Sequence, residues 1–163
     1  GRLEDLVEVL ERMLKLDLTA TERRRVLARL AELHETRRNP DQAAAAMEEA
    51  ASLAPDDVDL LRSLASLRRQ QGDAAGQADA LLRLAGVVED PSERAELLLD
   101  AASIQENEVG DLHAARASLE RLQRLDPENG AALLRLDPRY YENLYPEAAP
   151  TPGGASPTSG RAQ

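Results

Sequence analysis

"RLDPENG", residues 124–130, separates two runs rich in leucine and alanine. The same break returns in "VEDPSERAELLL" (88–99) and in "SLAPDDVDLL" (52–61), so that Pro55, Pro91 and Pro127 are evenly spaced. A helix-stopping residue at a fixed interval marks the joint of a repeat. Asp90 is placed to cap the free amides of a new helix, Pro91 suits its first position, and Glu93 completes a capping box. Asp126 and Pro127 repeat the start signal, and Thr19 with Glu22 offers a weaker version.

Working outward, apolar or small residues at i, i+3, i+7 and i+10 mark one face of a helix. Leu3, Leu6, Leu10 and Met13 fit, as do Ala75, Ala78, Leu82, Ala85 and Leu112, Ala115, Leu119, Leu122. Pro40, Ala43, Met47 and Ala50 occupy the same places between them. A second series interleaves: Leu27, Leu30, Ala31, His34; then Leu61, Leu64, Ala65, Arg68; then Leu98, Ala101, Ala102, Gln105. The turns "RRNPD", "QQGDA" and "NEVGD" join them, with Gly72 and Gly110 suited to the left-handed residue after a helix. Ala43, Ala78 and Ala115 are the small positions where paired helices should touch.

These alternating helices resemble the tetratricopeptide-repeat family. Residues 24–57 match its pattern through Leu27, Leu30, Ala31, Ala43, Ala50 and Pro55. Residues 58–92 match through Leu61, Leu64, Ala65, Ala78 and Ala85, and residues 95–129 through Leu98, Ala102, Ala115 and Pro127. The family's usual Trp is Leu27, Leu61 and Leu98 here, and its Tyr is His34, Arg68 and Gln105. The resemblance implies an all-α, right-handed α-solenoid of antiparallel helix hairpins, about three and a half repeats long. The expected organisation is a repeat domain over 1–137, comprising a half repeat (1–18), repeats 24–57, 58–92 and 95–129, and an aborted repeat (130–137). The last stops because Asp137 takes a small-residue position and Pro138 follows. Tyr140, Tyr141 and Tyr145 are expected to form a cap over 138–145. Residues 146–163, rich in Pro, Gly, Ser and Thr, are expected to be a disordered tail. A start at Gly1, inside a repeat, suggests a fragment of a longer bacterial-type protein, assigned to the cytoplasm by default.

Composition narrows function by exclusion. The 163 residues carry a formal net charge of −10, which disfavours a nucleic-acid partner. Cysteine is absent, and no apolar run approaches the roughly 20 residues that span a bilayer. His34 and His113 are the only histidines and sit on different hairpins, so no metal or other cofactor is expected. Asp56 and Asp57 sit where a helix N-terminus favours negative charge, and "ERRR" (22–25) points in different directions around its helix. With no nucleophile or acid–base pair in a closed site, an enzyme is not expected.

The resemblance implies a concave face lined by the first helix of each hairpin. It comprises Arg25, Ala28, Glu32 and Glu35; Asp59, Arg62, Ser66 and Arg69; and Glu96, Leu99, Ser103 and Glu106. Ala28 with Glu32, Arg62 with Ser66, and Leu99 with Ser103 lack the Lys and Asn by which some members grip a C-terminal carboxylate. The candidate partner-binding residues are therefore Arg25, Arg62, Ser66, Arg69, Leu99 and Ser103. Arg62 and Arg69 either neutralise Glu32, Glu35 and Glu106 or fork onto an acidic peptide. The expected role is a non-catalytic protein-interaction scaffold, with a spacer in a larger assembly as the alternative. Self-association through the open N-terminal helix is a further expectation.

Overall fold

The computed structural model describes residues 1–140. Within them the chain forms α1 (Arg2–Met13), α2 (Ala20–Thr36), α3 (Pro40–Leu53), α4 (Val58–Gln71), α5 (Ala74–Val87), α6 (Pro91–Ile104), α7 (Leu112–Leu125) and α8 (Gly130–Leu136). A π-helical turn, Gln105–Val109, extends α6. Each helix packs chiefly against its neighbours in sequence, as a helical solenoid requires.

The two apolar series form the core. Leu27, Leu61 and Leu98 are buried, as are Leu30, Leu64 and Ala101 on the turns above them. Ala43, Ala78 and Ala115 are closed off from solvent, so each hairpin's second helix meets its neighbours at a methyl group. A larger side chain there would push the helices apart.

The turns between paired helices share one device. Arg38, Gly72 and Gly110 all adopt a left-handed backbone, at φ 56°, 74° and 75°. Glycine accepts that conformation freely, whereas Arg38 holds it against a steric cost. Asp73 and Asp111 then cap α5 and α7 by accepting from the amides of Gly76 and Ala114, each at 2.9 Å.

The joints between hairpins differ from the expected start signals. The complete capping box is the one at Thr19: its hydroxyl accepts from Glu22 N, while Glu22 Oε2 accepts from Thr19 N at 2.9 Å. The Thr19 hydroxyl, which also donates to Glu22 Oε2 at 2.7 Å, and next the Thr19 amide hold the Glu22 carboxyl below its ordinary range. Asp90 does cap α6, accepting from Ser92 N at 3.0 Å, but Glu93 turns away to receive Arg62. Asp126 ends α7, and Asn129 caps α8, accepting from Ala132 N at 3.1 Å. Pro127 thus lies in the turn before the cap, as Pro55 lies before the capping residue Asp57. Pro91 alone of the three begins a helix. Equal spacing in sequence therefore hides two different joints.

α8 ends at Leu136, but the helical path resumes at residues 138–140, with Asp137 Oδ1 accepting from Arg139 N at 2.8 Å. Asp137-Pro138 acts as Asp90-Pro91 does, as a break followed by a new start. Tyr141, Tyr145 and the segment 146–163 lie outside the described residues.

Candidate functional site

The middle of the array leaves a cleft of about 360 Å³ between α4, α5 and α6. Ser66 and Arg69 enter it from α4, Gln77 and Leu81 from α5, and Asp100, Ser103 and Ile104 from α6. Ser66 and Arg69 share a face because three residues advance a helix by nearly one turn. Among the described residues, Arg69 has no ion-pair or side-chain hydrogen-bond partner and is exposed. Asp100 stands on the facing helix, giving the cleft both signs of charge.

The six candidate residues are not one cluster. Ser66, Arg69 and Ser103 come together in the cleft. Arg25 is exposed in the second turn of α2 and is not part of it. Arg62 donates to Glu93 Oε1 at 2.5 Å, tying α4 to α6. Leu99 is half-buried against the C-terminal core of Ala85, Leu98, Leu122 and Ala132. Its carbonyl accepts from Ser103 Oγ at 2.9 Å.

The expected neutralisation of Glu32, Glu35 and Glu106 by Arg62 and Arg69 does not occur. Glu32 receives Arg29 one turn away at 2.6 Å, and Glu35 receives Gln70 at 3.1 Å. Glu106 is buried and receives Arg135 from α8, whose other guanidinium nitrogen donates to Ser103 Oγ at 3.1 Å. The cleft is thus bounded on one side by an internal ion pair.

That pair escaped the reading of the sequence because the third hairpin contains one residue more than the others between its leucine and its turn. Leu27 to Arg38 and Leu61 to Gly72 are equal intervals, whereas Leu98 to Gly110 is longer by one. The π turn absorbs the extra residue. It leaves Gln105 and Glu106 buried, although Arg69 and Glu35, equivalent to Glu106, are exposed. Gln105 Oε1 accepts from Ser118 Oγ at 2.7 Å. A serine on the apolar face of α7 was the one available signal.

The "ERRR" arginines diverge as their spacing requires. Arg23 donates to Glu49 Oε1 at 3.0 Å and to the Leu14 carbonyl at 3.1 Å, whereas Arg24 pairs with Asp57 at the start of α4. His34 is buried with Nδ1 unpartnered. Burial pushes its pKa below the ordinary range, aided by Arg37 and opposed by Glu11. Among the described residues no three His, Asp or Glu side chains group as a metal site would need. No described helix is long and apolar enough to cross a membrane.

A family model for the tetratricopeptide repeat matches residues 25–57. Comparison with curated protein sequences finds no match. Among solved structures, one titled "Crystal structure of MamA protein" aligns with a TM-score of 0.50 at 16% identity, covering 88% of this chain and 74% of that one. A second MamA crystal structure aligns at 0.48 and 16% identity, over 85% of this chain and 76% of that one. The likeness to the first extends to the fold. The matched repeat is the α2–α3 hairpin, and the helices that follow it are paired on the same plan. Repeats of this class serve in general as protein–protein interaction scaffolds, typically without catalysis.

Proposed function

We propose that this protein is a non-catalytic interaction module that binds a peptide segment in the cleft between α4, α5 and α6. Arg69 is the residue that selects it. The observation carrying this reading is that Arg69 has no ion-pair partner among the described residues and stands beside Ser66, while Arg62 and Arg135 on the same series of helices are engaged. A guanidinium held at the mouth of a partly apolar cleft favours a carboxylate, with charge-assisted bonds as the source of affinity. Asp100 opposite then favours a donor on the same segment. Leu81 and Ile104 supply apolar contact between the two.

Selection from a displayed peptide library tests this. Peptides recovered on the wild type should carry an acidic side chain or terminus and bind more weakly as salt rises, through screening of the exposed charge. Arg69→Glu should weaken them at least about tenfold, equivalent to about 1.4 kcal/mol, with helical content unchanged. Arg25→Glu should leave affinity as it was. Equal affinity for wild type and Arg69→Glu would overturn the assignment.

A further inference from the structure

We infer that the groove between α5 and α7, beside the π turn, is a docking site for an arginine side chain of a partner protein, separate from the cleft that Arg69 lines.

The groove encloses about 170 Å³. Ala78, Asp79 and Leu82 of α5, Gln105 and Val109 of the π turn, and Asp111 before α7 line it. A helix is roughly 10–12 Å across with its side chains, so a space of this size admits one side chain rather than a helix. It lies on another face of α5 from the cleft. Gln77 and Leu81 line the cleft, whereas Ala78 and Leu82 stand one residue, about 100°, further round the helix.

One hairpin earlier, the molecule fills the equivalent place with an arginine of its own. In the helical register Arg68 is the counterpart of Gln105, as Leu61 is of Leu98. Arg68 closes the joint between α3 and α5. It donates to Asp73, the residue that caps α5, at 3.0 Å and to Glu48 of α3 at 3.4 Å. In the third hairpin the cap is again an aspartate, Asp111, but the arginine is gone. Gln105 is shorter and neutral, and one residue more separates it from Asp111 than separates Arg68 from Asp73. The place that a guanidinium closes in the second hairpin is therefore open in the third, in front of a capping carboxylate.

The groups around the opening fit that occupant. Asp111 uses Oδ1 to accept from Ala114 N at 2.9 Å, and among the described residues no cation meets its carboxylate. Asp79 is exposed, and Arg83 stands 3.6 Å from it because that arginine is drawn to Glu48 at 2.7 Å. Arg116 of α7 is taken by Glu120 at 3.2 Å. Gln105 is only 8% exposed. Its Oε1 accepts from Ser118 Oγ at 2.7 Å, while its Nε2 has no partner among the described residues. A hydroxyl both donates and accepts, so the carboxamide can turn over, keep Ser118 and offer its oxygen to a cation. Ala78, Leu82 and the exposed Val109 supply an apolar wall for the aliphatic stem of an arginine. The formal net charge of −10 draws a basic surface toward such a site.

An NMR titration of the full chain tests the inference. The probe is a pentapeptide of four glycines around one arginine, blocked at both ends. It carries no acid, so Arg69 does not attract it. Signals of Asp79, Gln105, Val109 and Asp111 should move together, and the same peptide with citrulline, the neutral analogue of arginine, should leave them in place. Asp79→Asn combined with Asp111→Asn removes the charge while asparagine keeps the cap, and should weaken binding at least about tenfold. Gln105→Arg imports the side chain that the second hairpin already holds, and should abolish binding by filling the groove. Circular dichroism checks that the variants fold. Movement at Asp100 and Ser103 instead, equal movement with citrulline, or undiminished binding to Gln105→Arg would each overturn the inference.

Discussion

The first two complete hairpins are held by hydrocarbon, and the third adds buried polar groups to its apolar core. From α1 to α5 the core is a continuous cluster of Leu, Ala, Val and Met, in which His34 is the one buried polar side chain. From α6 onward Leu98, Ala101, Ala115, Leu119 and Leu122 are still buried, and a separate small cluster forms from Ala85, Leu98, Leu122 and Ala132. Gln105, Glu106 and Ser118 are buried as well, with Arg135 paired to Glu106. A mismatch in an apolar interface costs contact area, whereas a mismatch in a polar one leaves an unpaired group with no water. The third hairpin should therefore be the more sensitive to single changes, and α8 should be the first element released.

The largest expected effect tests this asymmetry. Arg135→Ala leaves Glu106 buried without its cation and should cost about 3 kcal/mol, reduced to the extent that α8 undocks and admits water. The exposed pair Arg62–Glu93 makes the control: Arg62→Ala should cost about 0–1 kcal/mol. Urea unfolding of both variants checks the difference, and equal losses would remove the distinction between the two regions.

Overpacking comes next. Ala115→Leu at a closed helix contact should destabilise by about 1–3 kcal/mol. Ala117→Leu, on the exposed side of the same helix, should change stability by less than about 0.5 kcal/mol. Ala43→Leu carries the test into the apolar half, where thermal melting should show a loss like that at Ala115.

A smaller gain is expected at the first turn. Arg38 occupies the place that glycine holds in the other two hairpins, so Arg38→Gly should stabilise by up to about 1 kcal/mol as strain relief exceeds the added chain entropy. The same denaturation measurement reads it, and a loss would show that the Arg38 side chain contributes more than its backbone costs.

The smallest effect concerns acid. The folded pKa of His34 lies below its unfolded value, so the unfolded chain binds the proton more readily. The stability this contributes is complete above the unfolded pKa of about 6.5 and falls as pH drops below it. Melting curves from neutral to mildly acidic pH should show a decline that His34→Gln flattens, and an unchanged decline in the variant would place its origin elsewhere.

Much of the fold was legible because helix periodicity is a local signal. The apolar stripes, the glycine turns at Gly72 and Gly110 and the alanine contacts follow from spacings of three and four residues. The joints were less legible: Asp-Pro serves as cap and first residue at 90–91 but lies outside the helix at 126–127. Both arrangements satisfy proline's missing amide, and the neighbouring packing selects between them. Of the candidate groove residues, Ser66, Arg69 and Ser103 meet in one cleft, while Arg62 and Leu99 are taken up by contacts from other helices.

The sequence by itself determined the repeat, its helical class and the absence of cysteine chemistry, because each depends on residue type and short spacing. Only the tertiary structure decided which charges remain free. Arg69 and Arg62 look alike on one helix, yet Glu93 turns from its capping position to engage one and leaves the other open. Likewise Glu106 reads as a groove residue until the π turn and Arg135 bury it. Ion pairing between helices depends on distances set by packing, and a one-residue shift in a helix end changes which side chains those distances bring together.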